Sequence, residues 1–421
     1  MSYFLPALPG LPPETVSFLE RVAEEYRLTL QDRQKLLIIA QDLAAWSQPG
    51  VEEVWETPPE TVTGKNRKQW SLGRLEKLWI KLRGEEPIYP PRDEEAPPSA
   101  EPEKATAALK FQKHSDQDGS TLMGTCPVFS EKTRCCGLLT LDAVIHCGFD
   151  CSYCTIQSFY KNNTIRFHDN LAEKLSRLDL DPAQTYHIGT GQSSDSLLWG
   201  NRNGLLDDLF NFAEEHPNVI LELKTKAGKV PYLLSHSIPP NILTTWSLNT
   251  PAIIANEERG TAPLEERLSA AEAVAERGNL VGFHFHPMVH YRGWEEDYRR
   301  VWDSLLCRFD PEKVAMVSLG TLTFIKPVIK AIRQRGLKTR VLQMPMEEIA
   351  GKYSYPFAVK EEMFRTAYEA LSPWHGKVFF YLCMEDKNLW EPVFGRDYPS
   401  NAAFEDDMKG TYLEKIRRLQ S

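Results

Sequence analysis

The chain has 421 residues, of which 42% are hydrophobic and 25% charged, and a formal net charge of −9. That length allows one large domain with appendages or two domains. The acidic balance disfavours indiscriminate nucleic-acid binding, which depends on Lys and Arg displacing counterions, and no apolar run reaches the ~18 residues that a membrane span needs.

The N-terminus "MSYFLPALPGLPPE" lacks a basic stretch followed by an apolar one, so no signal peptide is expected. Eight cysteines without a repeating framework argue against a secreted disulfide scaffold. Reduced thiols and a cytoplasmic address are the expectation.

In chain order, residues 13–47 carry apolar side chains at three- and four-residue spacing, the mark of amphipathic helices, and "LGRLEKLWIKLR" repeats the pattern. These predict a helical N-terminal domain over 1–83. Residues 84–107 are rich in Pro and Glu and too poor in apolar groups to offset their ordering entropy, so they read as a linker. Beyond them the pattern changes. The β-rich runs "LLTLDAVIH", "TYHIGT", "VILELKT", "ILTTWSLN", "LVGFHFHP", "VAMVSLG" and "TRVLQMP" alternate with helical stretches such as "NGLLDDLFNFAEEH" and "GWEEDYRRVWDSLLCRF". Alternation of this kind predicts an α/β fold with a parallel sheet, and its length suggests a full or partial (β/α) barrel over 108–345. A C-terminal α+β extension over 346–421 ends in a helix around "AAFEDDMKGTYLEKIRRLQ".

Barrel active sites lie at the C-terminal ends of strands. Ser193, Ser194, Asp195, Lys224, Lys226, Ser247, Asn249 and His286 fall there, as does the loop "HCGFDCSYCTIQSFY", with three cysteines spaced C-x3-C-x2-C. Three thiolates can hold three irons of a 4Fe-4S cluster and leave the fourth iron open. Zinc is the competing metal, and His146 or the Cys135–Cys136 pair could complete its tetrahedron. On the zinc reading the protein is a non-catalytic binding module. His284 and His286 alternate along "GFHFHP" and so face one side of their strand, as barrel-filling polar groups or as metal ligands. The stretch "KPVIKAIRQRGLKTR" (326–340) has six basic residues and no acid; it reads as a solvated helix face or a patch for phosphates.

The C-x3-C-x2-C loop resembles that of the radical S-adenosylmethionine superfamily. Further stretches, "CSYCTIQ", "GQSSD", "LKTK", "WSLNT", "GFHFHPMVHYRGWEEDY", "SLGTLTF", "GKYSYP" and "YLCMEDKNLWEPVFG", resemble its spore photoproduct lyase branch, in that family's order, over roughly residues 135–396. The N-terminal helices fall outside the resemblance.

The resemblance implies a 4Fe-4S cluster on Cys147, Cys151 and Cys154, with S-adenosyl-L-methionine as the source of a 5′-deoxyadenosyl radical. It implies cosubstrate contacts from Ser194, Lys226 and Ser247, and an external one-electron reductant of the flavodoxin or ferredoxin type. It also implies a thymine lesion in DNA as substrate, with Lys352, Tyr353 and Tyr355 near it. Two positions depart from the family. Gln192 stands where the hydrogen-donating cysteine is expected, and Thr155 replaces one tyrosine of the hydrogen relay, whose other member is kept as Tyr153. Tyr153, Cys136, Cys307 and Cys383 are alternative hydrogen donors, and a non-DNA substrate is the competing expectation. The stretch "CPVFSEKTRCCG" with Cys126 is unassigned, and its Cys135 and Cys136 line the cluster entrance or simply pack.

Overall fold

A computed structural model describes residues 10–90, 110–114, 122–126, 133–156, 164–349 and 351–420. Of the expected linker, residues 91–107 lie outside the described residues, and 84–90 belong to the end of a helix and irregular chain. The chain divides into two units: Met1–Tyr89 with His290–Arg292 and Thr323–Pro356, and Pro90–Val289 with Gly293–Leu322 and Phe357–Ser421.

In the first unit, helices Pro13–Glu25, Leu30–Ala45 and Lys65–Gly84 follow the expected periodicity. Their apolar faces meet around Phe18, Leu19, Val22, Leu36, Ile39, Leu43 and Leu75. Thr29 and Asp32 form a reciprocal capping box at the start of the second helix, a device that contributes about 1 kcal/mol.

The basic stretch 326–340 joins this unit, with its first part in helix Lys326–Gln334. Arg333 makes two hydrogen bonds, of 2.7 and 2.9 Å, to the buried carboxylate of Asp42. One of the six cations is therefore structural. The expected strand "TRVLQMP" is instead a turn, closed by Gln343 N–H donating to Arg340 O at 2.9 Å. Its apolar residues Val341, Leu342 and Met344 are buried in that irregular form. A short apolar run marks burial and leaves the backbone shape open.

The second unit is built on strands β1 (Leu139–Leu141), β2 (Tyr186–Gly189), β3 (Val219–Thr225), β4 (Ile242–Ser247), β5 (Val281–Met288), β6 (Val314–Thr321) and β7 (Phe379–Leu382). They are parallel and adjacent in chain order, with Met123–Thr125 antiparallel at the β1 edge. Helices Leu205–Glu215, Leu264–Glu276, Trp294–Arg308 and Phe357–Ala370 occur in the connections, so the sheet curls as a partial (β/α) barrel. All eight residues of β6 are buried, as expected for a strand covered on both faces. The C-terminal helix Asn401–Gln420 packs on β3 and β6, burying Phe404, Met408, Tyr412 and Ile416.

Candidate functional site

The loop after β1 is held from both sides. Ser193 Oγ donates to Val144 O at 2.7 Å, and His146 N–H donates to Ser193 O at 3.2 Å, tying it to the chain that leaves β2. His146 sits at φ +82°, a left-handed backbone that side chains with a Cβ seldom adopt. The bonds to Ser193 over-determine this conformation immediately before Cys147. On the other side, Asp150–Cys151 pairs antiparallel with Glu258–Arg259, and Ser152 bonds Glu257 through both its N–H and its hydroxyl.

Tyr153 extends this clamp. Its hydroxyl donates to Glu258 Oε1 at 2.5 Å, and Arg267 donates to Glu258 Oε2 at 2.6 Å. Arg267 also donates to Ser247 O at 2.8 Å, which links the cysteine loop to the end of β4. The Lys226 ammonium lies 5.8 Å from the Tyr153 ring centroid. Burial lowers the Lys226 pKa, but Glu258 and Cys151 outweigh it and hold the ammonium charged. Burial likewise raises Glu258, and Arg267 and Lys226 reverse it, so the carboxylate is ionised.

Cys147, Cys151 and Cys154 line one open pocket with Gln192, Ser194, Asp195, Lys224, Lys226 and Ser247. Its empty space, open solvent included, is about 520 Å³. Neither His146 nor Cys135 or Cys136 is among its described lining residues. His146 turns its Nδ1 to Thr164 O at 3.3 Å instead. Among the described residues no three His, Cys, Asp or Glu side chains converge tightly enough to hold one metal ion. Thiolates on one zinc, each about 2.3 Å from the metal, would have to crowd together, whereas thiolates on three separate irons stand further apart. Three thiols with no fourth protein donor in the described lining are a donor set that three irons of a 4Fe-4S cluster would accept. Burial pushes the Cys147 thiol up to about 12, so a metal must displace its proton.

The expected cosubstrate residues come together here. Ser194 Oγ accepts Trp199 Nε1–H at 2.9 Å, leaving its own proton with no acceptor among the described residues. Asp195 is a scaffold: its carboxylate accepts Thr225 Oγ1 at 2.7 Å and Lys226 N–H at 2.6 Å, fixing the end of β3 against the loop after β2. Sequence reading missed Glu257, Glu258 and Arg267, which lie in and between two helices and carry no spacing signal of their own.

His284 faces the barrel interior. Carboxylates only accept, so its Nε2–H donates to Glu222 Oε1 at 2.6 Å and its Nδ1 accepts the Ser318 hydroxyl at 2.5 Å. His187 Nε2–H donates to Glu222 Oε2 at 2.9 Å, and Thr245 donates to Oε1 at 2.8 Å. This is a buried polar layer that carries out the barrel-filling role, with both His284 nitrogens committed to protein groups.

Lys352, Tyr353 and Tyr355 belong to the other unit. Lys352 and Tyr353 lie in strand Lys352–Ser354, paired with Glu347–Ile349, and both are half-buried. Tyr353 donates its hydroxyl to Glu348, with Lys326 Nζ 5.6 Å from its ring centroid. Tyr355 is buried and accepts His290 N–H at 3.0 Å, so its ring packs inside its own unit.

The sequence model of the spore photoproduct lyase family matches residues 139–366, just over half of the chain. The chain belongs to the spore photoproduct lyase family. The spore photoproduct lyase of Bacillus subtilis (strain 168) is 30% identical over 123 residues, covering 29% of this chain and 36% of that protein. That of Geobacillus sp. (strain Y412MC61) is 24% identical over 216 residues, covering 50% and 62%. The chain thus matches less than two thirds of the length of these relatives. Among solved structures, a spore photoproduct lyase complexed with dinucleoside spore photoproduct superposes with a TM-score of 0.53 at 22% identity, covering 58% of this chain and 76% of that one. A mutant of spore photoproduct lyase with bound AdoMet and dinucleoside spore photoproduct gives 0.51 at 22%, covering 57% and 75%. These structural likenesses show a shared partial-barrel fold. Within the spore photoproduct lyase family this chain is divergent: Gln192 occupies the pocket wall at the expected donor position, and Thr155 follows Cys154. No helix among the described residues is long and apolar enough to cross a membrane.

Proposed function

We propose that the pocket between the cysteine loop and the ends of β2, β3 and β4 holds a 4Fe-4S cluster and S-adenosylmethionine, and that the enzyme abstracts hydrogen from a thymine-derived lesion in DNA. When bound, the two cofactors supply a reducing electron and a 5′-deoxyadenosyl radical. Cys147, Cys151 and Cys154 are the cluster ligands. Lys226 offers a charged donor to the methionyl carboxylate, and the Ser194 and Ser247 hydroxyls offer hydrogen bonds to the carboxylate or ribose. Glu258 and Arg267 keep Tyr153 and the loop in place. Lys352, Tyr353 and the exposed lysines of helix Lys326–Gln334 are the candidates for meeting the flipped base and its backbone. The observation that carries this reading is the convergence of all three cysteines with Ser194, Lys226 and Ser247 on one pocket wall.

A second reading keeps the radical and changes the substrate. Gln192 in the pocket wall favours it, because an amide has no weak bond to hydrogen to give a product radical. Anaerobic reconstitution with iron and sulfide should give a brown protein, and a colourless zinc protein would end both readings. Incubation of the reduced enzyme with S-adenosylmethionine and dinucleoside spore photoproduct separates them. Recovered thymine supports repair; cosubstrate cleavage without repair supports another substrate.

A further inference from the structure

Among the described residues of the pocket wall stand two lysines, Lys224 and Lys226, and one carboxylate, Asp195. The fold already fills Asp195: its Oδ1 accepts Thr225 Oγ1–H and the N–H groups of Leu197 and Leu198, and its Oδ2 accepts Lys226 N–H. One layer further in, Glu222 accepts His187, Thr245 and His284. The Lys224 side chain has no hydrogen bond or ion pair among the described residues, and neither has Gln192.

The backbone puts these two side chains together. Thr190 N–H donates to Glu222 O and Ser196 N–H to Lys224 O, each at 3.1 Å, so the chain leaving β2 runs along the end of β3. A Cβ on Gly191 would lie 2.7 Å from Lys224 Cβ and 3.0 Å from its carbonyl oxygen, closer than such atoms pack. Glycine there allows the close approach and sets the next residue, Gln192, in the wall with Lys224.

Lys224 lies deeper than Lys226. Alternation along β3 puts Glu222 and Lys224 on the face that looks into the barrel, and two residues of strand separate Lys224 from Lys226 by about 6–7 Å. Lys226 reaches the cysteine loop at the rim, 5.8 Å from the Tyr153 ring centroid. Burial lowers the Lys224 pKa against the pull of Cys383 and Glu222, as for an ammonium whose counter-charge the fold does not supply. S-adenosylmethionine carries a single carboxylate, which Lys226 takes on the reading above. The second ammonium calls for a second anion.

We infer that Lys224 and Gln192 form an oxyanion subsite for the substrate, beside the cosubstrate. The ammonium pairs with one oxygen of a carboxylate or phosphodiester, and the Gln192 amide donates to another. Gln192 thereby has a task for which a thiol, a weak donor, is poorly suited. The inference rests on the radical reading above for calling this ligand a substrate.

The test compares urea midpoints of the apo full chain, wild type and Lys224→Met, in chloride and in inorganic phosphate. Met keeps an unbranched stem and removes the charge, so in chloride the variant is expected to have the higher midpoint. Phosphate is expected to raise the wild-type midpoint further than that of the variant; its general effect on protein surfaces is common to both. Lys224→Arg, which keeps the charge, is expected to retain the phosphate response. A lower midpoint for Lys224→Met in chloride, or an equal phosphate response, overturns the subsite. On the reconstituted protein, Lys224→Met is expected to keep the wild-type affinity for S-adenosylmethionine. A loss of about 10-fold there makes Lys224 a cosubstrate ligand and overturns its substrate role. Dinucleotide spore photoproduct, which has a phosphodiester, and the dinucleoside, which has none, separate the two sources of the oxyanion. Tighter wild-type binding of the dinucleotide, lost in Lys224→Met, assigns it to nucleic acid, and equal affinities assign it to a carboxylate-bearing substrate. A dinucleotide preference that survives in Lys224→Met overturns the proposal. Failure to load a cluster sinks the radical reading, while the apo-chain midpoints still decide the subsite.

Discussion

Tyr153 and Glu258 are joined by a hydrogen bond of 2.5 Å across 105 residues of sequence. The carboxylate also neutralises Arg267, whose side chain is fully buried. The two interactions differ in energy. Removing a hydroxyl that bonds a carboxylate costs about 1–3 kcal/mol; leaving a guanidinium buried and uncompensated costs about 3–5 kcal/mol. Glu258→Gln should therefore destabilise the apo chain more than Tyr153→Phe does, as read from urea denaturation midpoints. Equal effects would show that the Arg267 charge finds compensation elsewhere.

On the proposed reading, Lys226 pairs with the cosubstrate carboxylate. A charge-assisted bond contributes about 1.5–3 kcal/mol, so Lys226→Met should weaken S-adenosylmethionine binding by about 10- to 100-fold. The iron content and cluster spectrum should stay as in the wild type, because Lys226 is no cluster ligand. Titration calorimetry on the reconstituted variants checks this; unchanged affinity would remove Lys226 from the site.

Acid should destabilise the barrel through its interior layer. Burial, followed by the Lys224 ammonium, brings the His284 pKa down from 6.5 to about 4, against the pull of Glu222. The folded state then binds fewer protons than the unfolded chain in that interval. Stability is full above the unfolded value and is lost as pH falls toward the folded one, by about 3 kcal/mol. Glu222 acts in the same direction: burial raises its pKa, but His284 and His187 hold it well below the ordinary carboxylate range. The urea midpoint of the apo chain should fall between pH 7 and pH 5, and the decrease should be smaller in His284→Gln. A flat profile in the wild type would contradict the neutral assignment of His284.

Lys326 and Lys330 are exposed on helix Lys326–Gln334, and Lys326 lies 3.8 Å from Glu348 and 5.6 Å from the Tyr353 ring centroid. If this face meets a phosphate backbone, the double reversal Lys326→Glu, Lys330→Glu should weaken duplex binding and flatten the dependence of log K on log salt by about 2. Unchanged binding would make the stretch an ordinary solvated helix face.

Much of the architecture could be read locally. The strands β1 to β6 and the main helices between them follow from alternating apolar runs and three-to-four periodicity, which depend on neighbours a few residues away, whereas β7, expected in a separate C-terminal extension, pairs with β6 in the same sheet. The same method misread "TRVLQMP", where burial without regular structure leaves an identical apolar signature. It also could not tell whether Tyr355 is a stacking surface or a packed ring; the bond from His290 makes it the latter.

By itself the sequence determined the cysteine spacing, the strand-and-helix alternation and the positions at strand ends where Ser194, Lys226 and Ser247 stand. Each of these is a matter of short chain distances and backbone geometry. Only the tertiary structure decided that Glu258 locks the cysteine loop and that Glu222 accepts hydrogen bonds from both His187 and His284. Those pairings join segments far apart along the chain. Their stability comes from burying paired polar groups together in a folded interior, which no local pattern of residues records.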